Sequence, residues 1–306
     1  MSRYFAPTTA AEAAALLAEH GGARVVAGGT DLVVAARGGK HRMPEVLIAI
    51  HGATDLASLV ENEDGVRLGA LTSHAWIERS PLIGSHWSAL ADASALVGSP
   101  ATRANGTLGG NLMNASPAMD TGAPLLVFEA DVELLSLRGT RTVPVADLLA
   151  GAGRTTAEPD ELLTSVRLPD LPPATGSAYV RLEHRRAMEI AVVGAAALVT
   201  LGDDGRVADC RVALSAAAPT CVRAREAEDL LRGLRPDGAS FRDAAALATG
   251  AVQPITDVRA SARYRRAMIS VVVSRALAVA AARAAGTDIA VPANRNLPTV
   301  TAGSTG

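Results

Sequence analysis

The chain has 306 residues, 49% of them hydrophobic and 20% charged, with a formal net charge of −2. That length predicts two or three domains, and the near-neutral balance excludes the electrostatic footprint of a nucleic-acid or anionic-membrane binder. Two cysteines, Cys210 and Cys221, are too few for a disulfide framework or an iron–sulfur cluster, which makes them small core residues of a reducing compartment.

In chain order, Tyr4–Phe5 reads as a short strand, and Thr8 or Thr9 can cap a helix that Gly21–Gly22 stops after His20. Glu12 and Glu19 inside its Ala/Leu run suit an amphipathic helix and spoil a signal-peptide core. Val25–Ala27 is a strand, Asp31–Arg37 a short helix and Val46–Ile50 a strand, together a βαβαβ unit. "ENEDG" (Glu61–Gly65) is a hairpin turn before Val66–Leu68, and Trp76 and Leu90 fall in helices. Gly98–Asn114 is so rich in Gly, Asn and Thr that it reads as a long structured loop.

Strands resume with "ADVELLSL", "TRTVPV" and "ELLTSVRLP", and "PDLPPATG" (Pro169–Gly176) has linker composition. Beyond it stand strands at Ala178–Leu182, Val192–Thr200 and Arg206–Ser215, with "GDDG" as a turn, then helices from Ala224 to the long Ser261–Ala285 segment. The expectation is a larger α+β region before about residue 172 and a smaller strands-then-helices domain after it. Arg275 and Arg283 interrupt the last apolar run, so no membrane insertion is expected and the chain reads as cytoplasmic.

No G-x-G-x-x-G, G-x-x-x-x-G-K-[ST], H-E-x-x-H or G-x-S-x-G occurs, and the six histidines pair with no cysteine at ligand spacing. No catalytic residue and no metal ligand is therefore assigned. What remains is a pair of glycine-rich loops. "AGGTDL" (Ala27–Leu32) lies between a strand and a short helix, where backbone N–H groups can converge on an anion. Alone, it reads as a tight turn with Asp31 as the helix cap. "TLGGNLMNASPAMD" (Thr107–Asp120) repeats the glycine pair between polar residues. Two such loops, neither carrying a lysine, point to a phosphate-bearing cofactor held by neutral donors.

The segments "VVAGGTDLVVAARGG", "GSPATRANGTLGGNLMNASPAMDTGAPLLVFEADVELLS", "EPDELLTSVRLP" and "YVRLEHRRAMEIAVVGAAALV", with "DVRASARYRRAMISVVVSRAL" near the end, resemble the FAD-binding medium subunit of molybdenum hydroxylases. That family includes xanthine dehydrogenase, CO dehydrogenase and related aldehyde and N-heterocycle oxidoreductases. The resemblance covers nearly the whole chain in order. It implies an α+β fold of the PCMH (vanillyl-alcohol-oxidase) type, with FAD between lobes of about 1–55 and 56–172. A C-terminal α+β domain, an antiparallel sheet with helices at 177–286, would cover the flavin end, and 287–306 would be a flexible tail.

The resemblance places Val26, Ala27, Gly28, Gly29, Thr30, Asp31 and Leu32 around the FAD pyrophosphate. Its second loop carries over as Thr107, Gly109, Gly110, Asn111, Asn114, Ser116 and Asp120, with Asp120 on an adenosine ribose hydroxyl. Leu96, Val97 and Leu163 join the set. Arg181 stands near the flavin where many relatives have lysine, and Tyr179 is the ring to test for stacking on it. In "TRANGT", Ala104 replaces a familiar asparagine and Gly106 an alanine, Thr102 replaces an aliphatic residue, and Glu189 replaces an aspartate.

The implied function is an FAD-carrying electron-transfer subunit, since the cofactor supplies the redox step that no side-chain dyad provides. An iron–sulfur small subunit would donate electrons, a molybdopterin large subunit would oxidise the substrate in a heterotrimer that can pair further, and NAD+, oxygen or another acceptor would take the electrons. The alternatives are a stand-alone FAD-dependent oxidase or reductase and a flavin-free structural subunit; the intact glycine pairs argue against the second.

Overall fold

The computed structural model describes residues 3–39 and 42–297. The first 50 residues form the expected alternation: β1 (Arg3–Phe5), α1 (Ala10–Glu19), β2 (Arg24–Val26), α2 (Leu32–Arg37) and β3 (Val46–Ala49). Parallel strands need crossovers, and here α1 and α2 supply them in a sheet of order β1-β3-β2. Thr9 starts α1 by accepting from the Glu12 N–H, and the helix buries Ala10, Ala13, Ala14 and Leu17 at helical spacing.

The second layer begins with the hairpin β4 (Leu59–Asn62) and β5 (Gly65–Gly69). A helical stretch follows: α3 (His74–Arg79), α4 (Pro81–His86), α5 (Ser88–Leu96), α6 (Pro100–Asn105), α7 (Leu108–Asn114) and α8 (Gly122–Val127). Then come β6 (Asp131–Ser136), β7 (Gly139–Pro144), α9 (Val145–Leu148), the small hairpin β8 (Leu149–Gly151) and β9 (Arg154–Thr155), and β10 (Leu162–Pro169). The antiparallel sheet has the order β4-β5-β10-β6-β7.

Gly98–Asn114 is therefore two short helices and not a loop. Ser99 caps α6 with Pro100 in its first turn, and Thr107 caps α7, whose Leu108 and Leu112 are buried four residues apart. The glycines that argue against helix on propensity are overridden by these caps and by burial.

The last sheet, β11 (Thr175–Leu182), β12 (Val193–Leu201), β13 (Val207–Ser215) and β14 (Val222–Arg223), is antiparallel and in sequence order. α10 (Arg225–Leu231), α11 (Gly238–Ala248) and α12 (Ala262–Ala284) complete the described chain. Among the described residues α12 alone has the length and hydropathy to cross a membrane, yet Ile269, Val273, Ala276 and Leu277 pack it into the core on this sheet.

The sheet is covered on both faces. Ala178, Val180, Val193, Ala195 and Ala197 face α10–α12, while the alternate residues Tyr179, Ala196, Leu198 and Ala213 join the core of the second layer. That explains the unbroken apolar run Ala191–Val199, which a half-exposed strand would interrupt with polar residues. Buried Asp92 on α5 fastens the two sides: it accepts from Arg283 (2.7 and 3.1 Å), the Tyr179 N–H (3.1 Å) and the Ala293 N–H (2.8 Å). Residues 287–297, expected as part of a tail, are thus held down, with Ala293 fully buried; 298–306 lie outside the described residues. Cys210 and Cys221 are free and buried, and burial pushes the Cys221 thiol up to about 12.

Candidate functional site

The two glycine loops meet. A Cβ on Gly28 would lie 1.8 Å from the Asn105 carbonyl oxygen, so only glycine lets this loop press on the end of α6. Gly29 follows with φ +68°, a left-handed conformation that turns the chain from β2 into α2. Thr30 Oγ1 and the His74 ring line the space where a Gly106 side chain would sit, and the Ala27 methyl lies beside Gly110.

Within Ala27–Leu32, the N–H groups of Gly28, Gly29, Thr30, Asp31 and Leu32 make no hydrogen bond among the described residues. Asp31 precedes α2 but its side chain caps nothing, so the tight-turn reading loses its main support. The carboxyl is open to solvent yet walled by protein, and that desolvation lifts it above the ordinary aspartate range. Val26 ends β2, half-buried beneath the loop.

The second loop spends its donors internally. Gly109 donates its N–H to Ala70 O (3.0 Å), Leu108 to Thr72 O (2.9 Å) and Gly110 to Thr107 Oγ1 (3.1 Å). A Cβ on Gly109 would stand 2.7 Å from the Ala70 methyl, so this glycine is required by packing. Asn111 accepts from Thr121 Oγ1 (2.6 Å), an arrangement that leaves its amide N–H groups without a protein acceptor among the described residues. Asn114 is exposed at the end of α7, and Ser116 accepts from the Ala118 N–H (3.3 Å).

Several expected cofactor contacts are instead core. Leu96, Leu163 and Tyr179 are buried, and Tyr179 has no exposed surface with which to stack on a flavin. Its hydroxyl donates to Asp120 Oδ1 (2.8 Å) and lies 2.9 Å from Ser215 Oγ. Arg181 donates to Asp120 Oδ2 (2.7 Å) and to Glu183 Oε2 (2.7 and 2.9 Å). Burial pushes the Asp120 carboxyl up, and the Arg181 guanidinium opposes it. Each Asp120 oxygen accepts one bond in this interdomain knot, which leaves further lone pairs on the carboxylate. Val97 is half-buried; its carbonyl accepts from Arg103 (3.2 Å).

His74 escaped the motif reading, and Gly106 entered it only as a departure from the family pattern. The His74 N–H donates to Gly106 O (3.1 Å), and the buried ring has no partner at Nδ1 among the described residues. Burial, with Arg103 nearby, lowers this imidazole to about 4, so it stays neutral. Only Ser73, a helix-cap residue just before it, marked the position in sequence.

The N–H groups of Gly28–Leu32, the Thr30 hydroxyl and the Asn111 amide have no protein acceptor among the described residues and are all neutral, and Ala27 beside Gly110 brings their two loops into contact. They suit a diphosphate ester, whose charge is met by convergent N–H and O–H groups without a lysine.

Comparison with known proteins agrees. The family described as FAD binding domain in molybdopterin dehydrogenase matches residues 1–171, and the CO dehydrogenase flavoprotein C-terminal domain matches residues 178–280. The chain is 34% identical to the 6-hydroxypseudooxynicotine dehydrogenase complex subunit alpha of Paenarthrobacter nicotinovorans, over 88% of this chain and 90% of that one. It is 33% identical to the carbon monoxide dehydrogenase medium chain of Afipia carboxidovorans, over 92% and 97%. The solved carbon monoxide dehydrogenase of Hydrogenophaga pseudoflava superposes with a TM-score of 0.88 at 32% identity, covering 92% of this chain and 98% of that one. With matches along nearly its whole length, the chain belongs to the FAD-binding medium subunits of the molybdenum hydroxylase family and is an FAD-dependent oxidoreductase subunit.

Proposed function

We propose that this chain passes electrons within a molybdenum hydroxylase complex, taking them from an iron–sulfur small subunit while a molybdopterin large subunit oxidises the substrate. NAD+, oxygen or another acceptor then receives them, in the cytoplasm. FAD supplies this chemistry because a flavin exchanges electrons singly or in pairs, and the protein binds and orients it. In this reading residues 1–172 hold the cofactor between lobes of about 1–55 and 56–172, and 177–286 close the flavin end.

The observation that carries the proposal is the run of five N–H groups from Gly28 to Leu32 with no protein acceptor among the described residues. We assign them, with the Thr30 hydroxyl, to the FAD pyrophosphate, and Asn111 to its flank. Thr107 and Gly110 hold the opposite wall, and the Asp120–Arg181–Glu183 knot keeps the C-terminal sheet registered on that wall. The names of relatives as a complex subunit and a medium chain support partner chains.

The test is purification through a tag from the native host. The expected product is yellow, releases FAD and not FMN on denaturation, and carries iron–sulfur and molybdopterin chains. A yellow chain recovered alone and active without iron or molybdenum would overturn the electron-transfer role in favour of a stand-alone flavoenzyme.

A further inference from the structure

Asn105–Gly106 is the one Asn–Gly pair in the sequence, and it stands at the seam where the two glycine loops meet. In such a pair the glycine nitrogen can attack the asparagine side-chain carbon, because no Cβ on the following residue crowds the approach. Gly106 stands where the family pattern has alanine, so the pair belongs to this chain and not to the pattern.

Asn105 is exposed at the end of α6, while its peptide link to Gly106 is held on three sides. Gly106 donates its N–H to Thr102 O (2.6 Å), and its carbonyl accepts from the His74 N–H (3.1 Å). The Asn105 carbonyl oxygen lies against Gly28, where a Cβ would come within 1.8 Å. Asn105 Nδ2 donates to Ala101 O (2.9 Å), which ties the side-chain amide back to its own helix. Ring closure requires these ties to open. The Gly106 nitrogen must leave Thr102, and the bond between Asn105 Cα and its carbonyl carbon must turn out of the helical setting to bring that nitrogen onto Cγ. The same turn moves the Asn105 carbonyl from its place under Gly28.

We propose that Asn105–Gly106 is a self-modification site gated by the cofactor: with FAD bound the closed seam keeps the amide intact, and once FAD is lost the pair deamidates and the seam no longer takes the cofactor back. The inference rests on the assignment of Gly28–Leu32 to the FAD pyrophosphate. A ligand that binds the closed seam depletes the open one by mass action, and opening is what the reaction needs.

The step balances with water as the only co-reactant. The Gly106 nitrogen bonds to Asn105 Cγ, the Cγ–Nδ2 bond breaks, and the Gly106 proton ends on the departing ammonia. Water then opens the five-membered imide at either carbonyl. One product is aspartate; the other is isoaspartate, whose main chain runs through the side-chain carbon and is one methylene longer. Both set a new carboxylate beside the loop assigned to a pyrophosphate, and the second also displaces the carbonyl on which Gly28 packs.

The experiment incubates the purified full chain, warm and mildly alkaline, with FAD bound and after flavin removal. Residue 105 is read by peptide mass spectrometry and isoaspartyl methyltransferase labelling, and FAD rebinding by flavin fluorescence. The stripped chain should convert at least about tenfold faster than the loaded one, and the converted fraction should fail to rebind FAD. Gly106→Ala and, separately, Asn105→Gln should slow both the conversion and the loss of rebinding. A Cβ at 106 would meet Thr102 O at 3.0 Å and His74 Cδ2 at 3.3 Å, so its neighbours need to yield only slightly. Equal rates in loaded and stripped wild type, an unmodified residue 105 in the stripped chain, or full rebinding by the converted chain each overturns the inference and leaves the pyrophosphate assignment standing. Loss of rebinding by both variants at the wild-type pace does the same. Wild-type affinity for FAD in Gly28→Val instead overturns that assignment, and the gating with it.

Discussion

The two glycine loops look alike in sequence and work differently. Among the described residues Ala27–Leu32 keeps five N–H groups free of protein acceptors, and its glycines serve a close approach and a left-handed turn. Thr107–Asn111 gives the N–H groups of Leu108, Gly109 and Gly110 to protein oxygens, and Gly109 is there because Ala70 is. In the proposed function the first loop contacts the cofactor with its backbone. The other is a wall that holds the first in place. A glycine pair by itself therefore does not say whether its backbone is offered or consumed.

The sharpest way to break this contrast is Gly28→Val. Its Cβ would overlap the Asn105 carbonyl and force the loops apart. FAD affinity should fall by about a thousandfold, roughly 4 kcal/mol, measured by flavin fluorescence titration. Undiminished affinity would mean that the seam does not hold the pyrophosphate.

The pH dependence of stability comes next, through His74 beneath the seam. Its folded pKa, about 4, lies below the ordinary value of 6.5. Above pH 6.5 both folded and unfolded states are neutral, and the group adds no slope. As pH falls from 6.5 to 4 the unfolded chain takes up the proton first, so stability should drop, by about 3 kcal/mol at the lower end. His74→Asn should flatten that part of the urea-denaturation profile relative to wild type. Identical slopes in the two proteins would remove His74 from the account.

Gly109→Ala tests the wall. Crowding against Ala70 should cost about 2 kcal/mol of stability, while the folded fraction binds FAD as before. Weaker FAD binding without loss of stability would reverse the roles of the loops. The smallest effect is expected from Thr107→Ala, which removes the cap of α7 and should cost about 1 kcal/mol. Thr107→Ser should restore it, read as a shift in the urea midpoint.

What could be read along the chain was local. A cap at Thr8 or Thr9, the βαβαβ alternation, the strands of the last sheet and the glycine pairs all depend on residues within a few positions of one another. The resemblance that pointed to FAD drew on such local motifs taken in order along nearly the whole chain. The helices in Gly98–Asn114 were hidden because their Gly and Asn content outweighed two caps in a propensity reading. Tertiary structure alone decided which polar groups were left over. Asp120, Tyr179 and Arg181 carry side chains fit for a ligand, yet burial between two layers makes them partners of one another. Gly28 meets Asn105, and Met188 meets Gly98, across 77 and 90 positions of sequence. Such pairings follow from how sheets and helices stack, because a buried polar group must find a partner wherever the packing brings one.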